Sequence, residues 1–398
     1  MPHQPFHFDR LPRRDLLRWG LLALGTPSLT LAALKDTAFS PLSTVKWTAG
    51  KETLMRDGRI LVEAQDGGLV FQSRDGQIHL IEADKIQLKA TEEEVRFHPF
   101  KSEDLGRQLQ EEFGFGFSVW NHGPLVVCTN TSREYANWCG ELFSRLSNGF
   151  QKHWRFDKLP LTEPKFPLPV LIFATRKQFS EYALKDADAS TAVSLGYYSL
   201  KTNRVAMYDI TADEQGRPAT SLADINRQMQ KSLSNVATMV HEATHQFAFN
   251  TGLHTRYADN PLWLAEGMAM YFEVPDIRSK TGWASIGQPN KPRVSLFANW
   301  YKSETRPADS LKTLIQDDSR FTSVETAENA YAEAWGLTYY LIKRRREDYT
   351  AYLKHIAEKK ILEYPTPAER IAEFEQFFGK DWDDLDEAMV SLLKNIRR

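Results

Sequence analysis

His241-Glu242-Ala243-Thr244-His245 sits in the run from Val236 to Glu273, and Pro261-Leu262-Trp263-Leu264-Ala265-Glu266-Gly267-Met268-Ala269 follows it. Read as a helix, the first stretch puts both imidazoles on one face, because residues four apart lie one turn above each other. Glu242 then stands beside the two histidines. A catalytic zinc ion takes three protein ligands and keeps one position open. Glu266, on a second predicted helix opening at Asn260-Pro261, is the natural third ligand. A carboxylate in so apolar a segment needs a partner, and a metal supplies one. The expected metal set is therefore His241, His245 and Glu266, with Glu242 as general base.

The flanks suit two short helices. Ser234 reads as the N-cap of the first, and Asn250 to Gly252 stops it, glycine being suited to the left-handed cap position. Asn260 reads as the cap of the second, with Pro261 in its first turn, and the helix ends before Pro275.

Outward from this core, the 398 residues carry a net charge of −2. Neither a basic nor an acidic tail is present, so no nucleic-acid partner is expected, and Lys343 to Arg346 reads as the exposed end of a helix. Arg13-Arg14-Asp15-Leu16-Leu17-Arg18, the short apolar run after it and the small residues up to Ala33 resemble a twin-arginine export signal over residues 1–33. The apolar part is broken by Gly20, Gly25 and Pro27 and falls short of the roughly 18 to 20 residues a bilayer span needs. Cleavage near Ala32 or Ala33 is expected, leaving an exported protein, periplasmic or secreted, without a stable membrane span. The two cysteines, Cys128 and Cys139, would see an oxidising compartment, where they could bridge or stay separately buried thiols.

Asp57-Gly58, Asp66-Gly67 and Asp75-Gly76 separate strand-like runs and predict a small β module over 46–95. His79 in it has no partner at metal-ligand spacing and reads as structural. A connector over 96–122 carries an amphipathic helix from Ser102 to Glu112. The catalytic part, 123–280, then opens with a strand at Leu125 to Cys128 and a long helix whose Tyr135, Trp138, Leu142, Leu146 and Phe150 form an apolar stripe. Strands follow at Val170 to Phe173, Gly196 to Tyr198 and Arg204 to Tyr208. The last of these is either the strand lining the cleft or an internal strand. From 281 to 398 the chain reads as helical, with Thr366-Pro367-Ala368-Glu369 a capping box.

Together, His-Glu-Ala-Thr-His-Gln, Asn250-Thr-Gly252, Pro-x-Trp-Leu-x-Glu266-Gly-x-Ala and Tyr331-Ala-x-Ala-Trp resemble the gluzincin zinc metallopeptidases. They resemble more closely an uncharacterised exported family of peptidase MA-like domains. The resemblance implies an α+β, zincin-like domain completed by the helical C-terminal part. It also implies a zinc ion and hydrolysis of peptide bonds in a peptide or protein substrate, through a zinc-activated water with Glu242 as base. Tyr331 stands where many gluzincins carry a tyrosine that stabilises the oxyanion, with His254, Tyr339 and Tyr340 as competitors. The aspartate expected four residues after Glu266 in thermolysin-like relatives is replaced by Met270. Two rival readings stay open: a binding or scaffold protein on a peptidase fold, and a zinc hydrolase of a non-peptide amide or cell-wall peptide.

Overall fold

In the computed structural model, residues 40–157, 159, 161–213 and 217–396 are described. The export signal read over 1–33 lies outside them. Among the described residues no helix is long and apolar enough to cross a membrane.

The N-terminal module is an antiparallel meander of β1 (Pro41–Ala49), β2 (Glu52–Glu63), β3 (Leu69–Ser73), β4 (Ile78–Ile81) and β5 (Ile86–Arg96), in the order β4-β3-β2-β1-β5. It begins before residue 46, and one predicted turn is wrong. Asp57-Gly58 lies inside β2, paired with Thr44 and Ser43, while the chain reverses at Gly50. Gly58 is there for closeness: a Cβ would stand 2.3 Å from the carbonyl oxygen of Gln72. His79 packs against the Trp47 ring at 4.9 Å and hydrogen-bonds Ser73 Oγ at 3.2 Å, a structural role.

The predicted connector is part of the second sheet. After α1 (Ser102–Phe113), β6 (Ser118–His122) pairs with β7 (Leu125–Thr129) as the sheet's edge. The chain continues through α2 (Arg133–Phe156), β8 (Leu168–Phe173), α3 (Arg176–Asp186), β9 (Gly196–Tyr198) and β10 (Val205–Tyr208). The order is β6-β7-β8-β10-β9, with β7, β8 and β10 parallel and both edge strands antiparallel to their neighbours. Arg204 to Tyr208 is therefore the internal strand, and Gly196–Tyr198 holds the edge.

Helices cover both faces of this sheet, and each strand divides its side chains between them, as a period of two requires. Val126, Cys128, Leu171 and Ala206 meet Leu105 and Leu109 of α1 and Phe179 of α3. Leu125, Val127, Val170 and Met207 meet Tyr135, Cys139, Leu142 and Leu146 of α2. The sheet thus lies between the two cysteines, and both are free buried thiols. Of the two readings for this pair, separate burial is the one found.

Beyond the sheet come α4 (Leu222–Lys231), α5 (Leu233–Asn250), α6 (Leu262–Phe272), α7 (Lys291–Lys302), α8 (Ser310–Gln316), α9 (Ser319–Thr322), α10 (Ala327–Arg344), α11 (Arg346–Ala357), α12 (Pro367–Phe378) and α13 (Trp382–Ile396). The described residues form a mixed α+β structure with two sheets and a helical C-terminal part. The capping box at Thr366 and Glu369 opens α12 as expected. Two other caps differ. The backbone turns helical at Leu233, so Ser232 rather than Ser234 is the flanking residue of α5. At α6 the Asn260 amide bonds back to the carbonyls of Thr255 and Ala258, and Asp318 takes the Leu262 N–H at 2.9 Å.

Helix α6 lies almost backbone to backbone on α10. A Cβ at Gly267 would meet Thr338 Oγ1 at 2.1 Å and the Ala334 carbonyl oxygen at 2.7 Å, so only glycine permits this approach. The contact sets the position of the neighbouring Glu266.

Candidate metal centre

Helix α5 is buried on nearly every side from Thr238 to Phe249, packed between α2, α4, α6 and strands β9 and β10. Such a helix has no solvated face on which to place His241, Glu242 and His245, so these polar groups must satisfy one another or a bound ion. They converge with Glu266 of α6. His241 Nε2 lies 3.0 Å from His245 Nε2 and 3.0 Å from Glu266 Oε2, and His245 Nε2 lies 3.7 Å from Glu266 Oε1. One donor atom from each of His241, His245 and Glu266 falls within 4.8 Å of the others.

A tetrahedral ion with bonds of about 2.0–2.1 Å separates its ligand atoms by about 3.3 Å. The separations of 3.0 Å from His241 Nε2 lie a little below that value and the 3.7 Å from His245 Nε2, to the other Glu266 oxygen, a little above it, and two imidazoles with one carboxylate are a donor set that can hold a divalent metal ion. The residues fit a metal ion of this kind. The three ligands expected from the sequence are thus brought together.

Electrostatics bear on the same point. Burial opposes the charged form of His241, yet its hydrogen bonds to Glu266 and Glu273 drive its pKa above the ordinary imidazole value. Burial likewise opposes the Glu266 carboxylate, but His245 and His241 hold its pKa below the usual range. His245 is pushed the other way by burial, towards the neutral form. The site holds positive charge against two carboxylates, and a divalent cation bound between the Nε2 atoms and Glu266 would displace a proton to do the same.

Glu273, at the C-terminal end of α6, was not anticipated from the sequence. Its Oε2 takes a hydrogen bond from His241 Nδ1 at 2.8 Å. Asn290, at the start of α7, donates to Glu273 Oε1 at 2.5 Å, and Arg293 Nε approaches the same oxygen at 3.7 Å. A carboxylate on Nδ1 leaves Nε2 as the metal-facing nitrogen and fixes the ring's rotation. The available signal was spacing: Glu273 follows Glu266 by two helical turns and so shares its face.

Glu242 lies outside the ligand set. Its Oε2 accepts the Tyr198 backbone N–H from edge strand β9 at 2.8 Å. Burial raises its pKa to about 8, with His241 acting against the shift and Glu266 adding to it. The edge strand is itself tied to α5. Tyr198 stacks on Phe249 at 5.7 Å, its hydroxyl donates to Asn203 Oδ1 at 2.7 Å, and Gln246 donates to the Asn203 carbonyl at 2.9 Å.

Tyr331 is buried in the second turn of α10. The Arg293 guanidinium stands over its ring at 5.7 Å and Phe321 meets it edge-on at 5.2 Å, so Arg293 links this tyrosine to Glu273. Among its competitors, His254 is buried near His245 with its ring 5.1 Å from Phe249. Neither ring nitrogen of His254 has a hydrogen-bonding partner among the described residues, and burial holds it neutral, with a pKa of about 3. Tyr339 lies instead among Tyr271, Trp335 and Lys343.

No curated protein matches the chain. A family model described as a protein of unknown function, DUF1570, is similar to residues 235–363, a stretch of less than half the chain. That stretch runs from the first turn of α5 past the end of α11 and contains the two histidines, Glu242, Glu266, Glu273 and Tyr331, while both sheets lie outside it.

Proposed function

We propose that this protein is a zinc-dependent peptidase of the gluzincin type, exported from the cytoplasm, in which Glu242 is the general base. The observation that carries the reading is the placement of Glu242. A structural metal site requires His241, His245 and Glu266, and Glu273 to orient His241, but has no use for Glu242, a further buried carboxylate that bonds neither histidine. Glu242 is held by a backbone N–H with its pKa raised towards neutrality, where a group that accepts and returns a proton works best.

Zinc, when bound, would supply Lewis acidity that polarises a scissile carbonyl and makes water a nucleophile near neutral pH. The residues of the chain do the rest. Glu242 accepts the proton of the attacking water and passes it to the leaving amine. Glu273 holds His241 in one tautomer, while the Tyr198 N–H of β9 holds the Glu242 carboxylate in place. Tyr331 is the proposed donor to the developing oxyanion.

The test uses purified full-length protein with its metal content measured and fluorescent casein as substrate. The expected result is about one zinc per chain, with cleavage lost in Glu242→Gln while zinc is retained. Zinc-loaded Glu242→Gln protein that digests casein at the wild-type rate would exclude Glu242 as base. Tyr331→Phe is expected to lower kcat by about 10²–10³-fold, the scale of a lost oxyanion donor.

A further inference from the structure

The N-terminal sheet reaches the candidate site through one buried cation. Arg256 lies in the loop between α5 and α6, the two helices that carry the ligands, and is 7 % exposed. Its Nη2 donates to the Gly76 carbonyl in the Asp75-Gly76 turn at 2.7 Å, and its Nη1 donates to the Leu200 carbonyl at 3.1 Å. Among the described residues it makes no ion pair, and burial lowers its pKa below the ordinary guanidinium value, with the charge of Asp75 acting against that shift. A buried guanidinium held only by carbonyls is costly, and losing either carbonyl leaves charge unsatisfied. Its two partners therefore stay in place together.

Those partners come from different parts of the molecule. Gly76 belongs to the N-terminal sheet, in a turn stiffened by Asp75, which accepts from Ser73, Gln77 and Gln108. Leu200 follows edge strand β9 by two residues, and β9 supplies the Tyr198 N–H that holds Glu242. The same two parts meet again where Ile78 N–H donates to the Lys201 carbonyl at 2.8 Å. Val62, Val70 and Ile78 of the sheet also enclose Tyr257 and Leu200.

We infer that the N-terminal sheet is an internal clamp, and that Arg256 is a positioning residue that fixes the β9–β10 turn and, through the Tyr198 N–H, the carboxylate of Glu242. The inference rests on the reading of Glu242 as base only for its effect on catalysis. The clamp itself is a statement about Arg256, Leu200 and Tyr198.

Arg256→Met and Arg256→Lys in the full chain provide the test, read by hydrogen exchange resolved to 196–203, by zinc content and by casein cleavage. In Arg256→Met, exchange over 196–203 is expected to speed up by about tenfold or more, the scale of one lost charge-assisted bond, while the far edge strand β6 exchanges as in wild type. Zinc content is expected to hold, and kcat to fall by at least about tenfold with little change in KM, since positioning of the base acts on the chemical step. Arg256→Lys, which keeps the cation, is expected to recover part of both. Unchanged exchange over 196–203 in Arg256→Met would overturn the clamp, as would equal acceleration everywhere, which marks general destabilisation. If Arg256→Met does not fold, slow exchange over 196–203 in a folded Arg256→Lys with full activity overturns it and faster exchange supports it. Exchange is read without activity, so a failure of the peptidase reading would be seen separately, in the Glu242→Gln protein.

Discussion

His241 Nδ1 donates to Glu273 Oε2 at 2.8 Å, joining a residue of the histidine pair on α5 to the last turn of the helix that carries Glu266. Because Asn290 and Arg293 hold the other oxygen of Glu273, the imidazole is oriented from two further helices, α6 and α7. Glu273→Gln keeps the shape but can no longer balance charge on the ring. Zinc affinity is expected to weaken by about 10–100-fold, measured by competition with a chromophoric chelator. Wild-type affinity in this variant would mean that Glu273 does not support the centre.

Gly267 sets the distance between α6 and α10. Gly267→Ala places a methyl group against the Ala334 carbonyl oxygen, which belongs to the backbone and cannot rotate away. The variant is expected to lose about 1–3 kcal/mol in urea unfolding and to bind zinc less tightly as Glu266 shifts. Adding Thr338→Ala should recover only part of the loss, since it removes one of the two clashes.

Cys128 and Cys139 lie on opposite faces of the second sheet. Burial raises the Cys128 thiol to about 12 and pushes Cys139 up as well, so neither is a thiolate near neutral pH. A thiol reagent is expected to find no reactive group in the native protein and two after denaturation. A reducing agent should leave Tm unchanged, and a Tm drop on reduction would contradict this arrangement.

His79 and His153 are held neutral by burial, each with a pKa lowered from 6.5 to about 4. Between these values the unfolded chain binds protons at both positions and the native chain does not. Their contribution is fully present above about pH 6.5, falls away as the pH drops towards 4, and changes no further below that, with a slope of at most about 1.4 kcal/mol per pH unit for each histidine. A double His79→Gln, His153→Gln variant is expected to show a shallower decline in urea stability across that window. An equal slope in the two proteins would count against it.

What the sequence determined was local. The i, i+4 pair of His241 and His245, Glu266 on the next helix and the Thr366 capping box were legible because helix geometry fixes which residues share a face within a few turns. The helical character of the C-terminal part was legible for the same reason, from apolar periodicity. The turn at Gly50 was not, since Asp57-Gly58 carried the stronger turn signal, and only the pairing of β2 with β1 and β3 shows that Gly58 serves close packing. Strand order decided that β9 rather than β10 is the edge beside Glu242, and that a sheet separates Cys128 from Cys139. Strand order depends on contacts between residues far apart in the chain, which no local spacing encodes. The same holds for the supports of the centre: Tyr198 at Glu242, Asn290 and Arg293 at Glu273, and Arg256 between the two sheets come from separate segments, and only tertiary packing brings them together.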